Sequence, residues 1–350
     1  MKLKNKISFC TVSMNRLYHL KETLVRNIED NIDYENIEFV LLDYNSNDDI
    51  KSWVTNDLKV YLDMGILKFY STNIPETFHR SHSRNVVMKL ATGDIICNLD
   101  ADNYLGKDFA YFINYQFSFS GNIFLTSAFA DGSTGRVCVK KDDFLAVKGY
   151  DERMSGWGFE DDDLYNRLTM SGLKNVKFNN SEFVEFIWHD VEESFENDIN
   201  VTGVSAMYIQ HKSSFQSTLL FLFQDGKFKY GNIEKPKAEE DAVNTELVED
   251  TWQTGTFTKQ NNAHISLTFT NDITKKIHIA TTEATKNTVT QDAFIRVTDS
   301  IFKGRLLLLL TSLENKKLYK NKFASLQTAP NPENWGETII QNLSKSLQSC

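Results

Sequence analysis

Four consecutive acidic residues, 160–163, follow an aromatic turn in which Trp157 and Phe159 are flanked by glycines. The helical spacing of Leu164 and Leu168 places these acids in the first turn of a predicted helix, where the positive end of the helix dipole favours anions. A solvated helix start would explain the acids, but it has no need of two aromatic side chains held between glycines. Aromatic faces beside carboxylates are typical of a sugar-binding cleft. We therefore interpret the segment as a site.

Two further aspartates, Asp100 and Asp102, stand on either side of Ala101 at the end of the apolar run 95–99. In an extended chain residues i and i+2 point to the same side, so the two carboxylates converge. Hard divalent cations take such oxygen ligands, and Mg²⁺ or Mn²⁺ commonly adds the phosphates of a substrate. A lone Asp-X-Asp triplet is more often a turn or a cap, so the metal interpretation depends on its context.

His189 ends another apolar run, which includes Ile187 and Trp188. A single histidine is more often a core or surface residue than a ligand. If His189 joined the aspartates, an imidazole among oxygen ligands would favour Mn²⁺ over Mg²⁺ or Ca²⁺.

Alternating strand and helix patterns run through this half of the chain. The predicted strands are 7–12, 37–43, 66–70 and 95–99, and the predicted helices between them are 17–28, 50–62 and 81–90. This order predicts an α/β fold with a mostly parallel sheet covered by helices on both faces, whose ligands bind beyond the carboxyl ends of the strands. The residues to examine are therefore 13–16, 43–46 and 100–103.

Several classes of protein are disfavoured by what the sequence contains. No GxGxxG follows the first strand and no GxxxxGK[ST] occurs, which argues against ordinary dehydrogenases and P-loop enzymes. The net charge of −9 argues against a nucleic-acid partner, because neutralising phosphates needs a basic surface. The cysteines have no paired spacing and indicate buried thiols in a reducing compartment, not disulfides or a zinc site; they are Cys10, Cys97, Cys138 and Cys350.

We expect no targeting signal in this chain. Residues 1–6 are polar and lead directly into a strand, so we predict no secretory signal peptide. The longest apolar run, 306–310, is too short to cross a bilayer, so we expect no transmembrane segment, and peripheral membrane association stays open. A cytoplasmic location is the expectation.

The pattern changes after about residue 200, and 350 residues are enough for roughly two domains. A hairpin is predicted at 218–230 and an acidic linker or short helix at 235–250. Short strands at 264–270, 276–280, 293–298 and 306–310 predict an antiparallel β domain, and a last helix is predicted at 334–347. We divide the chain into a first domain, 1–214, and a smaller β-rich accessory domain with a C-terminal helix, 215–350.

Four segments in order resemble glycosyltransferases of the GT-A fold, of a family 2-like kind. They are the strand end 40–46, the helix start 83–85, the triplet 100–102, and the pair 147–152 and 156–163. The last pair is the most specific, since it resembles the GFDE…GWGxEDDD signature of the β-1,4-galactosyltransferases and bacterial chondroitin-polymerase domains. Two departures are that 45–48 reads Asn-Ser-Asn-Asp where D-G-S-x-D is commoner, and that Phe159 stands where galactosyltransferases carry glycine.

The resemblance implies a GT-A sheet, related to the Rossmann fold, over the first 190 or so residues, and a role for each matching residue. It implies that Asp102 and His189 bind the metal, Mn²⁺ or Mg²⁺, and that Asp161 is the catalytic base. Trp157, Glu160 and Asp162 would contact the acceptor. The residues implied to bind the nucleotide sugar are Thr11, Asn15, Arg16, Asp43, Asn45, Arg84 and Asp100.

The implied reaction moves a sugar, of the galactose or N-acetylhexosamine type, from a UDP-sugar donor to a hydroxyl of a saccharide acceptor, with inversion. Such an enzyme would serve bacterial surface polysaccharide synthesis. Two alternatives stay open from the residues alone. A metal-dependent sugar-nucleotide hydrolase would use the same carboxylates, although it does not account for the aromatic segment, and a non-catalytic carbohydrate-binding protein would use the β-rich part.

Overall fold

A computed structural model describes residues 5–129, 132, 134–189, 193, 197, 203–234, 246–247, 251–280, 293–325 and 328–344. The chain forms two compact units. The first contains Met1–His189 together with Asn315–Cys350, and the second contains Asp190–Glu314. The boundary at residue 214 that we predicted from the sequence stays a prediction. Among the described residues, no helix is both long and apolar enough to span a membrane.

An eight-stranded mixed sheet forms the centre of the first unit, in the order β16-β3-β2-β1-β4-β6-β5-β7. Strands β1 to β4 run parallel along one half of it, as the sequence predicted. All eight residues of β2 are buried, because helices cover both faces of the sheet. The strands of this unit are β1 (Ile7–Ser13), β2 (Ile37–Tyr44), β3 (Leu67–Thr72), β4 (Ile95–Asn98), β5 (Ile123–Ser127), β6 (Val137–Lys140), β7 (Lys174–Phe178) and β16 (Gln341–Asn342).

Two hydrophobic clusters lie against this sheet. One includes Phe9, Phe39 and Phe109, and the other includes Phe144 and Trp335. Cys10, Cys97 and Cys138 are free and buried, as predicted, whereas Cys350 lies outside the described residues. The helices of the unit are α1 (Leu17–Glu29), α2 (Ile50–Asp57), α3 (Lys59–Asp63), α4 (Arg80–Leu90), α5 (Phe109–Phe119), α6 (Lys141–Ala146) and α7 (Glu160–Met170).

The second unit is an antiparallel sheet in the order β14-β13-β12-β10-β9-β8-β15, with β11 beside β10. Backbone hydrogen bonds from Phe294 to His278 and from Ala280 to Phe294, both 2.8 Å, join the two ends, so the sheet closes on itself. The predicted hairpin is present as β9 and β10. The strands are β8 (Val204–His211), β9 (Gln216–Phe223), β10 (Lys227–Glu234), β11 (Glu246–Leu247), β12 (Gln253–Asn261), β13 (His264–Phe269), β14 (Thr274–His278) and β15 (Ile295–Arg296).

Three local predictions were wrong. Residues 306–310, predicted as a strand, lie in the long helix α8 (Ser300–Ser325), because a short apolar run does not distinguish a buried strand from a buried helix. No helix is found within 334–344: this stretch contains a turn and β16, while 345–347 lie outside the described residues. The helix predicted at 50–62 is two helices separated at Leu58.

The segment after α8 returns to the first unit. Gln341 and Asn342 pair antiparallel with β3 and so form the edge of its sheet. The indole of Trp335 packs 5.9 Å from the ring of Phe144, and the Asn331 amide donates a 2.7 Å hydrogen bond to the Lys148 carbonyl. Residues distant in sequence therefore complete the unit that contains the predicted site.

Candidate active site

Parallel pairing brings the predicted ligand-binding residues to one edge of the sheet. Ser13 at the end of β1 is in register with Asp43 in β2, and Cys10 is in register with Asn98 at the end of β4. The segments 13–16, 43–46 and 100–103 therefore leave the sheet side by side, as expected for strands of one direction.

The segment 155–159, which we call the aromatic loop, has an unusual backbone. Gly156 and Gly158 have φ of 76° and 99°, and Phe159 has φ of 68°, all in the left-handed region that favours glycine. A residue with a β-carbon is about 1–2 kcal/mol less stable in this conformation than in the right-handed one. Phe159 occupies the position at which the resembling family carries glycine, and this conformation gives a physical reason for that glycine.

The four acids at the start of α7 point in different directions. Glu160 is buried, and its carboxylate accepts a 2.9 Å hydrogen bond from the Gly158 N–H. Asp161 is half-buried and faces Arg84, whereas Asp162 is exposed. Asp163 is buried on the other side of the helix, where Arg167 donates a 2.8 Å hydrogen bond to it. Only the first three acids therefore line the candidate site.

Arg84, in the first half of α4, joins two of the predicted groups. Its guanidinium donates a 3.0 Å hydrogen bond to Asp161 and bonds of 3.1 and 3.3 Å to the two oxygens of Asp100. Only 5% of the Arg84 side chain is exposed. Asp161, the predicted catalytic base, and Asp100, predicted to bind the nucleotide sugar, therefore contact the same guanidinium.

Gly135, which was not among the predicted site residues, lies against this cluster. A β-carbon at Gly135 would be 2.9 Å from the Arg84 guanidinium and 3.3 Å from carboxylate oxygens of both Asp100 and Asp161. Only glycine therefore leaves room for the three charged groups to meet. A single glycine in a polar stretch gave no sequence signal for this role.

The ionisation of the cluster is set by burial and by its own charges. Burial, opposed by Arg84 and assisted by Glu160 and Asp100, raises the pKa of Asp161 from its ordinary value of 3.8 to about 6. For Asp100, burial acts in the same direction, but Arg84 and Arg80 outweigh it and lower the pKa of that carboxyl. The pKa of Asp161 is therefore raised and that of Asp100 is lowered.

Asp102 and His189 meet beside this cluster. The His189 Nε2 atom lies 3.1 Å from an Asp102 carboxylate oxygen, and both side chains are partly exposed. The ring of His19, on α1, lies 5.4 Å from the His189 ring. Two ligand atoms each about 2.1 Å from one octahedral ion lie roughly 3 Å apart, so the observed separation fits a shared cation. Within the described residues, no group of three or more His, Cys, Asp and Glu side chains could hold a metal.

The remaining predicted donor-site residues lie at the ends of β1 and β2. The Asp43 carboxylate is buried and accepts a 2.9 Å hydrogen bond from the Ser46 N–H, and burial raises its pKa. Its other oxygen has no hydrogen-bond partner among the described residues. Asn15 and Asn45 both have positive φ, at 58° and 64°. Thr11 is buried within β1, and the Arg16 guanidinium donates a 2.6 Å hydrogen bond to the Tyr18 hydroxyl.

Two family models match consecutive parts of this unit. Residues 8–113 match the model described as glycosyl transferase family 2, and residues 125–190 match the model described as the N-terminal domain of galactosyltransferase. Residues 8–113 and 125–190 are therefore similar to glycosyltransferase domains. The predicted resemblance and the fold class, a GT-A mixed sheet with a β-rich part after it, are confirmed.

Curated relatives match a much shorter segment. Chondroitin sulfate synthase 3 from Homo sapiens is 43% identical over 49 residues, which is 14% of this chain and 6% of the relative's own length. The protein of the same name from Mus musculus matches with the same values. The chain therefore spans only a small part of these relatives.

Solved structures with a similar arrangement include three glycosyltransferases. The mannosyltransferase PcManGT from Pyrobaculum calidifontis, with GDP-Man and Mn²⁺, is 17% identical with a TM-score of 0.46, covering 53% of this chain and 58% of that one. TarS from S. aureus is 14% identical at 0.42, covering 57% and 64%. The catalytic domain of Drosophila β1,4-galactosyltransferase 7 is 15% identical at 0.37, covering 55% and 74%.

Proposed function

We propose that the protein is an inverting, metal-dependent glycosyltransferase that moves a sugar from a UDP-sugar to a hydroxyl of a saccharide acceptor. The observation that supports this most directly is the Arg84 guanidinium, which hydrogen-bonds to both Asp161 and Asp100. This contact supports the proposal, because transfer between two bound substrates requires the base to lie next to the donor.

Asp161 is the proposed general base. The acceptor hydroxyl must lose its proton as its oxygen attacks the anomeric carbon, and a carboxylate with a raised pKa accepts that proton more readily. A pKa of about 6 leaves Asp161 ionised at neutral pH and still basic enough for this role. The oxygen–carbon bond forms as the bond to the diphosphate breaks, so inversion needs no covalent intermediate on the protein.

Asp102 and His189 are the proposed metal ligands, with Mn²⁺ or Mg²⁺ as the ion. A divalent cation bound there would act as a Lewis acid that neutralises the charge of the departing diphosphate. The carboxylate of Asp100 is held by Arg84 and by a 3.2 Å hydrogen bond from the Asn98 amide. We place Asp100 with the nucleoside and diphosphate contacts, together with Arg84, Asp43 and the loops that follow β1 and β2.

The acceptor would lie against the aromatic loop. Trp157 is 47% exposed, so its ring is accessible to a sugar, and Asp162 is exposed as well. Glu160 already uses one oxygen to bind the Gly158 N–H, so its contribution to acceptor binding would come from the other oxygen. We retain all three as acceptor residues in this proposal.

The test of the function is a transfer assay. The protein is incubated with Mn²⁺ and each of UDP-galactose, UDP-N-acetylglucosamine and UDP-N-acetylgalactosamine, isotope-labelled in the sugar, with and without hexose and N-acetylhexosamine glycosides. Label appearing in a glycoside of inverted configuration supports the proposal. Label released only as free sugar would identify a hydrolase, and no turnover with retained saccharide binding would identify a binding protein.

Removal of the metal ligands gives a separate prediction. Asp102→Ala and His189→Ala should each weaken Mn²⁺-dependent UDP binding by at least about tenfold, because each removes one of the two ligands that the protein supplies. Calorimetric titration of UDP with and without Mn²⁺ measures this, with the exposed Asp57→Ala and His278→Ala as matched controls. Metal-dependent binding that persists unchanged in both ligand variants would show that the metal lies elsewhere.

A cytoplasmic location and a role in bacterial surface polysaccharide synthesis complete the proposal. Both are inferred from the amino-acid sequence alone.

A further inference from the structure

One face of the last turns of α8 lies against the aromatic loop and α7. Asn315, Tyr319 and Lys322 are spaced four and three residues apart, so they lie on the same side of the helix. All three belong to the first compact unit, although the whole of Asp190–Glu314 separates them in sequence from Met1–His189. The two family matches described above end at residues 113 and 190.

Asn315 links the two ends of the aromatic loop. Its side-chain amide donates hydrogen bonds of 3.2 Å to the Ser155 carbonyl and 2.8 Å to the Gly158 carbonyl. These two carbonyls flank Trp157, the exposed ring proposed to meet the acceptor. Asn315 is only 2% exposed, so no solvent replaces these bonds if they are lost.

Tyr319 and Lys322 extend the same contact. The Tyr319 ring lies 5.7 Å from the ring of Phe159, the residue held in the glycine-like conformation, and the Tyr319 hydroxyl accepts a hydrogen bond from the Asn166 amide. The Lys322 ammonium pairs with Asp163, at the start of α7. The loop and the start of α7 are thus held at three points from one helix face.

We propose that Asn315 and Tyr319 are positioning residues that fix the aromatic loop for the acceptor and so set the acceptor KM. This inference rests on the proposed function. Neither residue would touch a substrate. Each would act through Trp157 and Phe159, while the donor site at the ends of β1, β2 and β4 would be unaffected by their loss.

The kinetic test compares Asn315→Ala with Asn321→Ala, the same change at an exposed position of the same helix. With methyl N-acetylglucosaminide or methyl galactoside as acceptor, Asn315→Ala should raise the acceptor KM on the order of 10- to 100-fold, because a misplaced loop loses acceptor contacts. The donor KM and the acceptor-free hydrolysis of the UDP-sugar should stay within about twofold of wild type. Asn321→Ala should change none of them. Donor and acceptor KM rising together would overturn the proposal.

A second measurement does not depend on turnover. Acrylamide quenching of the Trp157 fluorescence, taken as the difference between each protein and its Trp157→Phe counterpart, reports the exposure of that ring. Asn315→Ala and the milder Tyr319→Leu should both increase quenching, and Asn321→Ala should not. Unchanged quenching in both variants would overturn the proposal even if transfer is observed. If the wild-type protein transfers no sugar at all, the proposed function fails, and the quenching result still decides whether α8 holds the loop.

Discussion

Asp161→Asn should lower kcat for sugar transfer by about 10²–10⁴-fold, while Mn²⁺-dependent UDP binding stays near wild type. Asparagine keeps the size of the side chain and can still contact Arg84, but it cannot accept the proton of the acceptor hydroxyl. The assay is initial-rate transfer at saturating donor, with Asp142→Asn, an exposed helix-start aspartate, as the control. A kcat within a few-fold of wild type would assign the base to another residue.

The raised pKa of Asp161 also predicts the pH dependence of the wild-type enzyme. A base with a pKa of about 6 is protonated, and therefore inactive, in the acid range. The value of kcat/KM should accordingly fall about tenfold for each pH unit below about 6. A profile that stays level down to pH 5 would contradict the assignment.

The raised pKa of Asp161 has the opposite effect on stability: activity is lost in acid, whereas stability is lost as the pH rises. A carboxyl whose pKa is higher in the folded protein favours folding below its unfolded pKa, near 4, and this contribution is lost as the pH rises through about 6. Above that pH the ionised Asp161 destabilises the fold, by on the order of 1–3 kcal/mol relative to a neutral side chain. Asp161→Asn should therefore raise Tm at pH 8 and leave it nearly unchanged at pH 4. Equal Tm changes at both pH values would exclude this explanation.

The second large effect is expected at Asp163, two residues further along. Its carboxylate is 3% exposed and pairs with the buried Arg167 and Lys322 side chains. Removing one partner of a buried ion pair typically costs about 3–5 kcal/mol, because the remaining charges stay buried without compensation. Asp163→Asn should lower the free energy of unfolding by this amount, while the folded fraction keeps its kcat, since Asp163 faces away from the cluster around Arg84.

Urea unfolding of the intact chain, followed by tryptophan fluorescence, measures this effect. Asp162→Asn is the matched control, because the neighbouring carboxylate is exposed and should contribute within about 0.5 kcal/mol. The double variant Asp163→Asn with Lys322→Met should be less destabilised than the sum of the two single changes. Strict additivity would mean that the two charges do not interact.

Asp151 belongs to the same buried group of charges as Asp163 and Lys322. It makes the stability of this group sensitive to acid. Burial alone would raise its pKa, but hydrogen bonds from Arg153 and Lys322 outweigh that effect and lower the pKa to about 2. A depressed pKa stabilises the fold above the unfolded value, near 4, and this stabilisation is lost as the pH falls towards 2. Loss of this stabilisation should therefore contribute to unfolding of the wild-type chain as the pH falls from about 4 towards 2.

The sequence predicted the sheet edge well because the relevant information was local. Four strands of one direction must present their carboxyl ends together, so the positions of Asp43, Asp100 and Asp102 follow from the strand pattern alone. The position of Asp163 on the far side of α7 likewise follows from helical geometry, because successive helix residues point in different directions.

The contacts of the aromatic loop with α8 were not predictable in this way. Asn315 and Lys322 are separated from their partners by about 160 residues, and nothing local marks either as part of the site. The helix that presents them was itself missed, because the apolar run at 306–310 has no helical period. The ionic contacts of Arg84 depend equally on the close approach of its guanidinium to Gly135, which no spacing rule predicts.

The return of residues 315–344 to the first unit has a consequence for biosynthesis. The sheet of that unit gains its edge strand, and Asp163 gains Lys322, only after the whole of Asp190–Glu314 has been translated. At about 5–20 residues per second, this intervening unit takes roughly 6–25 s to synthesise. During that interval the first unit lacks the strand that pairs with β3, and Asp163 has Arg167 but not Lys322 as a partner. We therefore expect the first unit to reach its full stability only after residues 315–344 have been made.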